Sequence, residues 1–243
     1  MKTALILGGK SDIAKALAVE LCKQKVNLFL AARNANELKD FKIELENKFA
    51  NKIFLIEFDA LAFDTHEKIF EQLPISVDAV FCVFGFLGEQ KKAETNRAEM
   101  FRILETNYAG AVSILEIIAG QFEKKKQGLI VGISSVAGER GRQSNYFYGS
   151  SKAGFTAYLS GLRNRLHKSN VHVLTVIPGY VKTAMTSNLQ LPPVVSTTPD
   201  VVAKAITKAI ANKKSVIYVP GIWRSIMLFI KLIPEFIFKK LKL

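Results

Sequence analysis

LILGGKSDIAKALA, residues 5–18, carries an apolar run into a helical pattern through a pair of glycines. Turns that seat the pyrophosphate of a dinucleotide at a helix N-terminus space three glycines along strand, turn and helix. Here Gly8 opens the series, but Asp12 and Ala14 stand where the second and third would fall. Gly8 supplies the tight turn, and alanine is a substitution the third position accepts for close packing of helix on strand. Asp12 is the oddity. Ser11 and Asp12 are expected to cap the helix, leaving its free amides, Ile13 among them, to face the pyrophosphate while Lys10 offsets the added negative charge. The alternative is that Asp12 weakens cofactor binding by repulsion.

Outward from this turn the chain alternates. Short β-branched or apolar runs at 3–7, 26–31, 52–58, 77–84, 128–134, 171–177 and 215–219 are separated by helical patterns at 12–24, 35–49, 65–73, 97–123, 146–168 and 199–211. Thr198, Pro199 and Asp200 suit the start of the last helix. The runs are almost continuously apolar, as strands are when helices cover both faces of a parallel sheet. The expected fold is α/β: a Rossmann-type, doubly wound parallel sheet of seven strands with helices on both faces. It forms one domain over 1–221, followed by an apolar, basic segment at 222–243.

With 243 residues and 49% hydrophobic content, the chain can bury one large core. Its net charge of +13 is concentrated, because residues 213–243 hold seven basic residues against one acidic, Glu235, and so supply +6. Elsewhere the two signs mix, and no base-reading module or aromatic-basic stacking pattern stands out, so no nucleic-acid partner is expected. Cys22 and Cys82 are too few for a disulfide framework and lie in apolar surroundings, and Met1 leads straight into a strand with no targeting pattern. A cytoplasmic location is expected. His66, His167 and His172 are scattered without ligand spacing, so no metal is expected.

Ligands of such sheets bind beyond the carboxyl ends of the strands, near the switch point in strand order. The polar and glycine-rich clusters GGKSDIA, AARN, FDAL, GFLGEQ, SSVAGERG and PGYVKTAMT all fall on that edge. One constellation there carries chemistry. Ser135 follows the fifth strand, Tyr148 comes thirteen residues later and Lys152 four beyond it, on the same helix face. A nearby ammonium favours the phenolate and moves a phenol toward proton exchange near neutral pH, while the serine hydroxyl bonds the same substrate oxygen. A Tyr-x-x-x-Lys pair alone reads better as an ordinary surface helix, because such pairs are common by chance. The serine, the strand edge and the glycine turn together favour a catalytic site.

With these motifs in order, the chain resembles the short-chain dehydrogenase/reductase family over nearly its whole length to about residue 220. The resemblance implies an active site of Ser135, Tyr148 and Lys152, joined by Asn107 of ETNYAGA, which helps keep a water in a proton relay to the lysine. Tyr148 would exchange a proton with the substrate oxygen, and Lys152 would also hold the nicotinamide ribose. PGYVKT resembles the family's segment over the nicotinamide, Pro178 and Gly179 opening it and Val181 and Thr183 meeting the carboxamide. Asp59 matches the acidic residue at the adenine. Where family members carry Asn-Asn-Ala-Gly, this chain has Cys82, Val83, Phe84 and Gly85; the surviving glycine still lets the backbone pass close to the cofactor. The first loop, FGFLGEQ and the C-terminal Trp with its apolar, basic tail resemble a narrower branch, the reductases of decaprenylphosphoryl 2-keto-ribose. The resemblance also implies a homo-oligomer, a dimer or tetramer.

Cofactor choice follows from charge. NAD-using enzymes of this fold place a carboxylate after the second strand, where it repels a 2′-phosphate. Here Ala32 and Arg33 stand there, and an arginine fork suits a phosphate, with Lys10 adding charge. NADPH is therefore expected over NADH; the alternative is that Arg33 stacks on adenine and Lys10 is solvated. The tail from Ile222 to Leu243 lacks the ~20 apolar residues needed to span a bilayer, and its Trp223, aliphatics and Lys239, Lys240 and Lys242 suit an interfacial segment on anionic lipid. The alternative is a terminal helix packed on the core or on another subunit. Residues 183–198 are expected to form a substrate lid whose apolar content suits a hydrophobic substrate. The expected function is an NADP(H)-dependent reductase of a ketone or aldehyde, or the reverse oxidation, on a lipid-linked keto-sugar. An acyl or small-carbonyl substrate, and a non-catalytic cofactor binder of the same fold, are the alternatives.

Overall fold

Each of the seven apolar runs forms a strand of one sheet. The computed structural model describes residues 1–69, 73 and 76–241. Strands β1 (Thr3–Leu7), β2 (Asn27–Ala32), β3 (Ile53–Glu57), β4 (Ala79–Cys82), β5 (Gly128–Ile133) and β6 (Val171–Pro178) precede a two-stranded pair, β7 (Tyr180–Val181) with β8 (Ser196–Thr197). Strand β9 (Val216–Val219) then completes the sheet, which runs β3-β2-β1-β4-β5-β6-β9 with every pairing parallel. The order reverses between β1 and β4, which puts the ligand crevice at their carboxyl ends.

Helices α1 (Asp12–Lys23), α2 (Lys39–Phe49), α3 (Gln90–Thr95), α4 (Arg97–Leu104), α5 (Gly110–Lys125), α6 (Tyr146–Leu166), α7 (Pro199–Ala211), α8 (Trp223–Leu232) and α9 (Glu235–Phe238) connect and cover the strands. Alternation along each strand decides which layer a residue joins. On β1, Ala4 and Ile6 pack with Leu17 of α1, Leu45 of α2 and Ile206 of α7. Leu5 and Leu7 face the other way, with Ile114 of α5 and Leu159 of α6. The two cysteines are buried on opposite faces, and burial pushes the Cys22 thiol up to about 11 and that of Cys82 to about 12.

Three expected helices are altered. The pattern over 35–49 begins as a 3-10 turn, Ala35–Leu38, before α2. The expected helix over 65–73 lies partly outside the described residues; its described part forms the 3-10 turns Phe63–Thr65 and Glu67–Ile69. The long helix over 97–123 is interrupted by a π turn, Glu105–Ala109, between α4 and α5.

The C-terminal segment is helical and lies on the body, as its alternative reading held. Its inner side buries Trp223 and Met227 against Val136 and Ile177. Arg140 holds the end of α8: Nη1 donates to the carbonyls of Ile230, Lys231 and Ile233 at 3.2, 3.0 and 2.9 Å, Nη2 to Glu235 at 2.8 Å, and the guanidinium stands 4.0 Å from the Phe238 ring centroid. These carbonyls lie at the helix C-terminus, where the macrodipole favours a cation, and that of Ile230 also accepts the Ile233 amide at 3.3 Å. The outer side leaves Leu228, Phe229, Leu232, Phe236 and Ile237 exposed. Among the described residues no helix is long and apolar enough to cross a membrane, and Lys242 and Leu243 lie outside them.

Candidate active site

The crevice begins at the glycine turn. Gly8 has φ +91°, and a Cβ there would stand 2.6 Å from the Phe84 amide nitrogen, so conformation and space both demand glycine. The amides of Gly8 and Gly9 donate to the Ala31 carbonyl at 2.8 and 3.0 Å, which ties the turn to the end of β2. Ala14 is fully buried where α1 meets the sheet. Ser11 caps α1 as expected, its Oγ accepting the Ala14 amide at 3.2 Å. Asp12 does not cap. As the first helical residue it lies beyond the cap that Ser11 already supplies, and its Oδ2 accepts the amide of Ala184 at 2.7 Å instead. The amides of Asp12 and Ile13, in the first turn, have no intrahelical acceptor by position.

From this turn the groove passes Arg33, Asp59, Phe84, Phe86 and Met185. Glu57, which sequence reasoning passed over, reaches the end of β2 from its β3 partner position opposite Ala32. Its two oxygens accept the Asn34 and Ala35 amides at 2.8 and 3.0 Å, fixing the turn that follows Arg33. The signal was a carboxylate ending an otherwise apolar strand. Lys10 pairs with Glu37 at 2.6 Å on the surface and holds that carboxyl below the usual range, so its charge is already partnered. Asp59 accepts the Leu61 amide at 3.0 Å. A glycine turn admitting close approach, unpaired helix-start amides and flanking polar groups fit a dinucleotide.

Beside the groove lies the second cluster. Ser134 Oγ, just past β5, bonds the Lys152 carbonyl at 3.1 Å and Thr156 Oγ1 at 2.6 Å, fastening this loop to α6. The 3-10 turn opened by Ser135 lies backbone to backbone on α6; a Cβ on Gly149 would stand 2.7 Å from the Ala137 carbonyl oxygen. Ser135, whose Oγ accepts the Ala137 amide at 3.1 Å, thereby stands beside the Tyr148 phenol. Lys152 is 3% exposed, its Nζ donating to the Ile133 carbonyl at 3.0 Å and lying 5.8 Å from the Tyr148 ring centroid. Asn107 enters from the π turn, a distortion that often marks functional sites. Its Oδ1 accepts the Phe86 amide at 3.0 Å, and its Nδ2 donates to the carbonyls of Phe86 and Ile103 at 2.6 and 2.8 Å. A Cβ on Gly85 would stand 3.0 Å from Asn107 Oδ1 and 3.5 Å from Lys152 Nζ, so β4, the π turn and α6 meet here.

The electrostatics differ from expectation in one respect. Burial pulls the Lys152 ammonium down to about 8. It pushes the Tyr148 phenol up to about 12, against the hydrogen bond from Ser135. The expected lowering of the phenol by the lysine is absent: Nζ is turned to the Ile133 carbonyl, and burial outweighs the Ser135 hydrogen bond. Tyr148 is thus a protonated acid beside a lysine that titrates within reach of neutral pH.

The PGYVKT segment closes β6. Pro178 and Val181 are buried, and Thr183 opens the 3-10 turn Ala184–Thr186, its amide donating to Thr186 Oγ1 at 3.1 Å. At Gly179 the structure shows a neighbour the sequence did not suggest. An added Cβ would fall on the Trp223 indole, which lies edge-on to Tyr180 and donates from Nε1 to the Val195 carbonyl at 2.9 Å. The tail therefore braces the far end of the 183–198 segment.

Comparison with known proteins agrees with this architecture. Residues 2–192 match the family model described as short chain dehydrogenase. An uncharacterized oxidoreductase of Mycobacterium tuberculosis is 35% identical over 240 residues, covering 98% of this chain and 96% of that protein. An NADP-dependent 3-hydroxy acid dehydrogenase of Schizosaccharomyces pombe is 28% identical over 187 residues, covering 75% and 72%. Among solved structures, a short-chain dehydrogenase from Sphingobium yanoikuyae in complex with NADPH superposes with a TM-score of 0.83 over 97% of both chains at 18% identity.

Proposed function

The chain belongs to the short-chain dehydrogenase family, and from that premise we propose that it is an NADP(H)-dependent reductase of a ketone or aldehyde, or its reverse. The observation that carries this reading is the meeting of Ser135, Tyr148, Lys152 and Asn107 at the edge of the nucleotide groove. When bound, a nicotinamide dinucleotide would supply or take up the hydride at the substrate carbon. Tyr148 gives its proton to the carbonyl oxygen, Ser135 hydrogen-bonds that oxygen, and the Lys152 ammonium holds the nicotinamide ribose. Asn107 holds the Phe86 backbone against the groove beside Lys152. Pro178, Gly179, Val181 and Thr183 serve the nicotinamide end, and Arg33 and Asp59 the adenosine end.

The preference for NADPH rests on Arg33, on Ala32 before it, and on Glu57 engaging backbone amides with both oxygens. The NADP-dependent relative from S. pombe supports it. Arg33→Ala should cut the ratio of kcat/KM for NADPH over NADH about tenfold or more, a loss of roughly 1.4 kcal/mol at the 2′-phosphate. A wild-type preference for NADH contradicts the assignment.

The substrate reading is a hydrophobic or lipid-linked keto-sugar. Met185, Leu189 and Val194 expose apolar surface on the 183–198 segment, which we assign as the substrate lid. The outer side of α8 and α9 exposes Phe229, Leu232 and Phe236 near Lys239 and Lys240, chemistry that suits an anionic membrane surface on which a cytoplasmic enzyme would rest. Wild-type protein should float with anionic vesicles, and Phe229→Ser with Leu232→Ser should not, since both changes lie on the outer side. Equal partitioning removes the membrane contact; a smaller particle in light scattering from the same variant would instead assign that side to a homo-oligomer.

A further inference from the structure

The 183–198 segment is fastened at both ends. At its close, β8 pairs with β7 and the Val195 carbonyl accepts the Trp223 indole. At its start the Ala184 amide donates to Asp12 Oδ2 at 2.7 Å, and Asp12 directly follows Ser11, which lines the nucleotide groove. Thr183 and Thr186 bond one another, and Thr186 Oγ1 also bonds the Val181 carbonyl at 2.6 Å, so the first turn is internally fixed. Met185, the next residue along, lines the groove. The contact between Asp12 and Ala184 thus joins the turn that carries Met185 to the helix start beside the groove.

We propose that Asp12 is a positioning residue, its carboxylate latching the first turn of the 183–198 segment to the start of α1 and holding that turn over the nucleotide groove. This rests on the nucleotide-dependent reading above. It also explains why an acidic residue stands where the fingerprint has glycine: glycine offers no acceptor to Ala184. A carboxylate at a helix start is favoured by the macrodipole, and an amide bonded to it gains from its charge. Because one oxygen is engaged on the lid side, the charge is partly answered there rather than left facing a pyrophosphate.

The test compares wild type with Asp12→Ala, which removes the acceptor, and Asp12→Asn, which keeps an acceptor without the charge. Hydrogen exchange at the Ala184 amide in protein without nucleotide should be about tenfold or more faster in Asp12→Ala and close to wild type in Asp12→Asn. NADPH dissociation followed by stopped flow should show the same split, about tenfold faster in Asp12→Ala alone, with kcat/KM for the carbonyl substrate falling less than the affinity for NADPH. If both variants bind NADPH more tightly and Ala184 exchanges as in wild type, Asp12 acts by repulsion and the latch is overturned. An Asp12→Asn variant that behaves like Asp12→Ala overturns it too. Failure of wild type to bind any nicotinamide dinucleotide would sink the functional reading instead, leaving the exchange result to decide the latch separately. Thermal melting of each variant separates a local release from loss of the fold.

Discussion

Tyr148→Phe should lower kcat by on the order of 10³-fold while leaving NADPH affinity within about threefold of wild type. The substitution removes one oxygen from a ring whose place on α6 is otherwise unchanged. That oxygen is the proton donor in the proposed reduction. Burial holds the phenol at about 12, so it is fully protonated at neutral pH and ready to give a proton to an oxygen that becomes strongly basic as hydride arrives. Ser135, Lys152 and the groove remain, which is why binding survives. Steady-state rates with titration of NADPH fluorescence check both halves, and activity above a tenth of wild type would contradict the assigned acid.

Lys152→Met should be nearly inactive and yet more stable than wild type at pH 7. Burial has lowered the lysine from its ordinary 10.5 to about 8, so holding the ammonium costs the folded state about 3 kcal/mol below pH 8. The sign follows from proton counting: between pH 8 and 10.5 the unfolded chain binds the proton more tightly, so wild-type stability rises with pH across that window and the cost is gone above it. Methionine fills similar space without charge, though it leaves the Ile133 carbonyl unbonded at about 1 to 2 kcal/mol. The net gain of roughly 1 to 2 kcal/mol corresponds to a melting temperature raised by about 2 to 8 °C at pH 7, shrinking as pH approaches 10.5. In the same window wild-type kcat/KM for reduction should fall as pH rises through about 8, as the ammonium is lost. A variant less stable than wild type by the same margin at every pH would show that burial of the ammonium is not the controlling cost.

The sheet was legible because its strands are apolar on both faces, so each run stands out without any knowledge of its neighbours. Ser135 is legible for a related reason, since it sits just after a strand and the fold brings strand ends together, whereas Tyr148 and Lys152 are legible by their spacing on one helix. What escaped depends on contacts between distant parts of the chain. Local sequence makes Asp12 a candidate cap because caps are local, while its partner Ala184 lies 172 residues away. Nothing in PGYVKT announces that an indole from beyond β9 packs against Gly179. The spacing of Tyr148 and Lys152 places them on one helix face, but it does not say where Nζ points, and the Ile133 carbonyl decided that. The π turn at Asn107 is invisible to a periodicity count, since it inserts a single wide turn into an otherwise regular helix.

The most direct measurement is hydride transfer itself. NADPH deuterated at the transferable position of the nicotinamide, incubated with the protein and a set of hydrophobic ketones, should yield an alcohol with deuterium on the former carbonyl carbon from wild type. Tyr148→Phe should give almost none while still binding the nucleotide. Tight NADPH binding by wild type with no deuterium in any product, or equal transfer by wild type and Tyr148→Phe, would contradict the account.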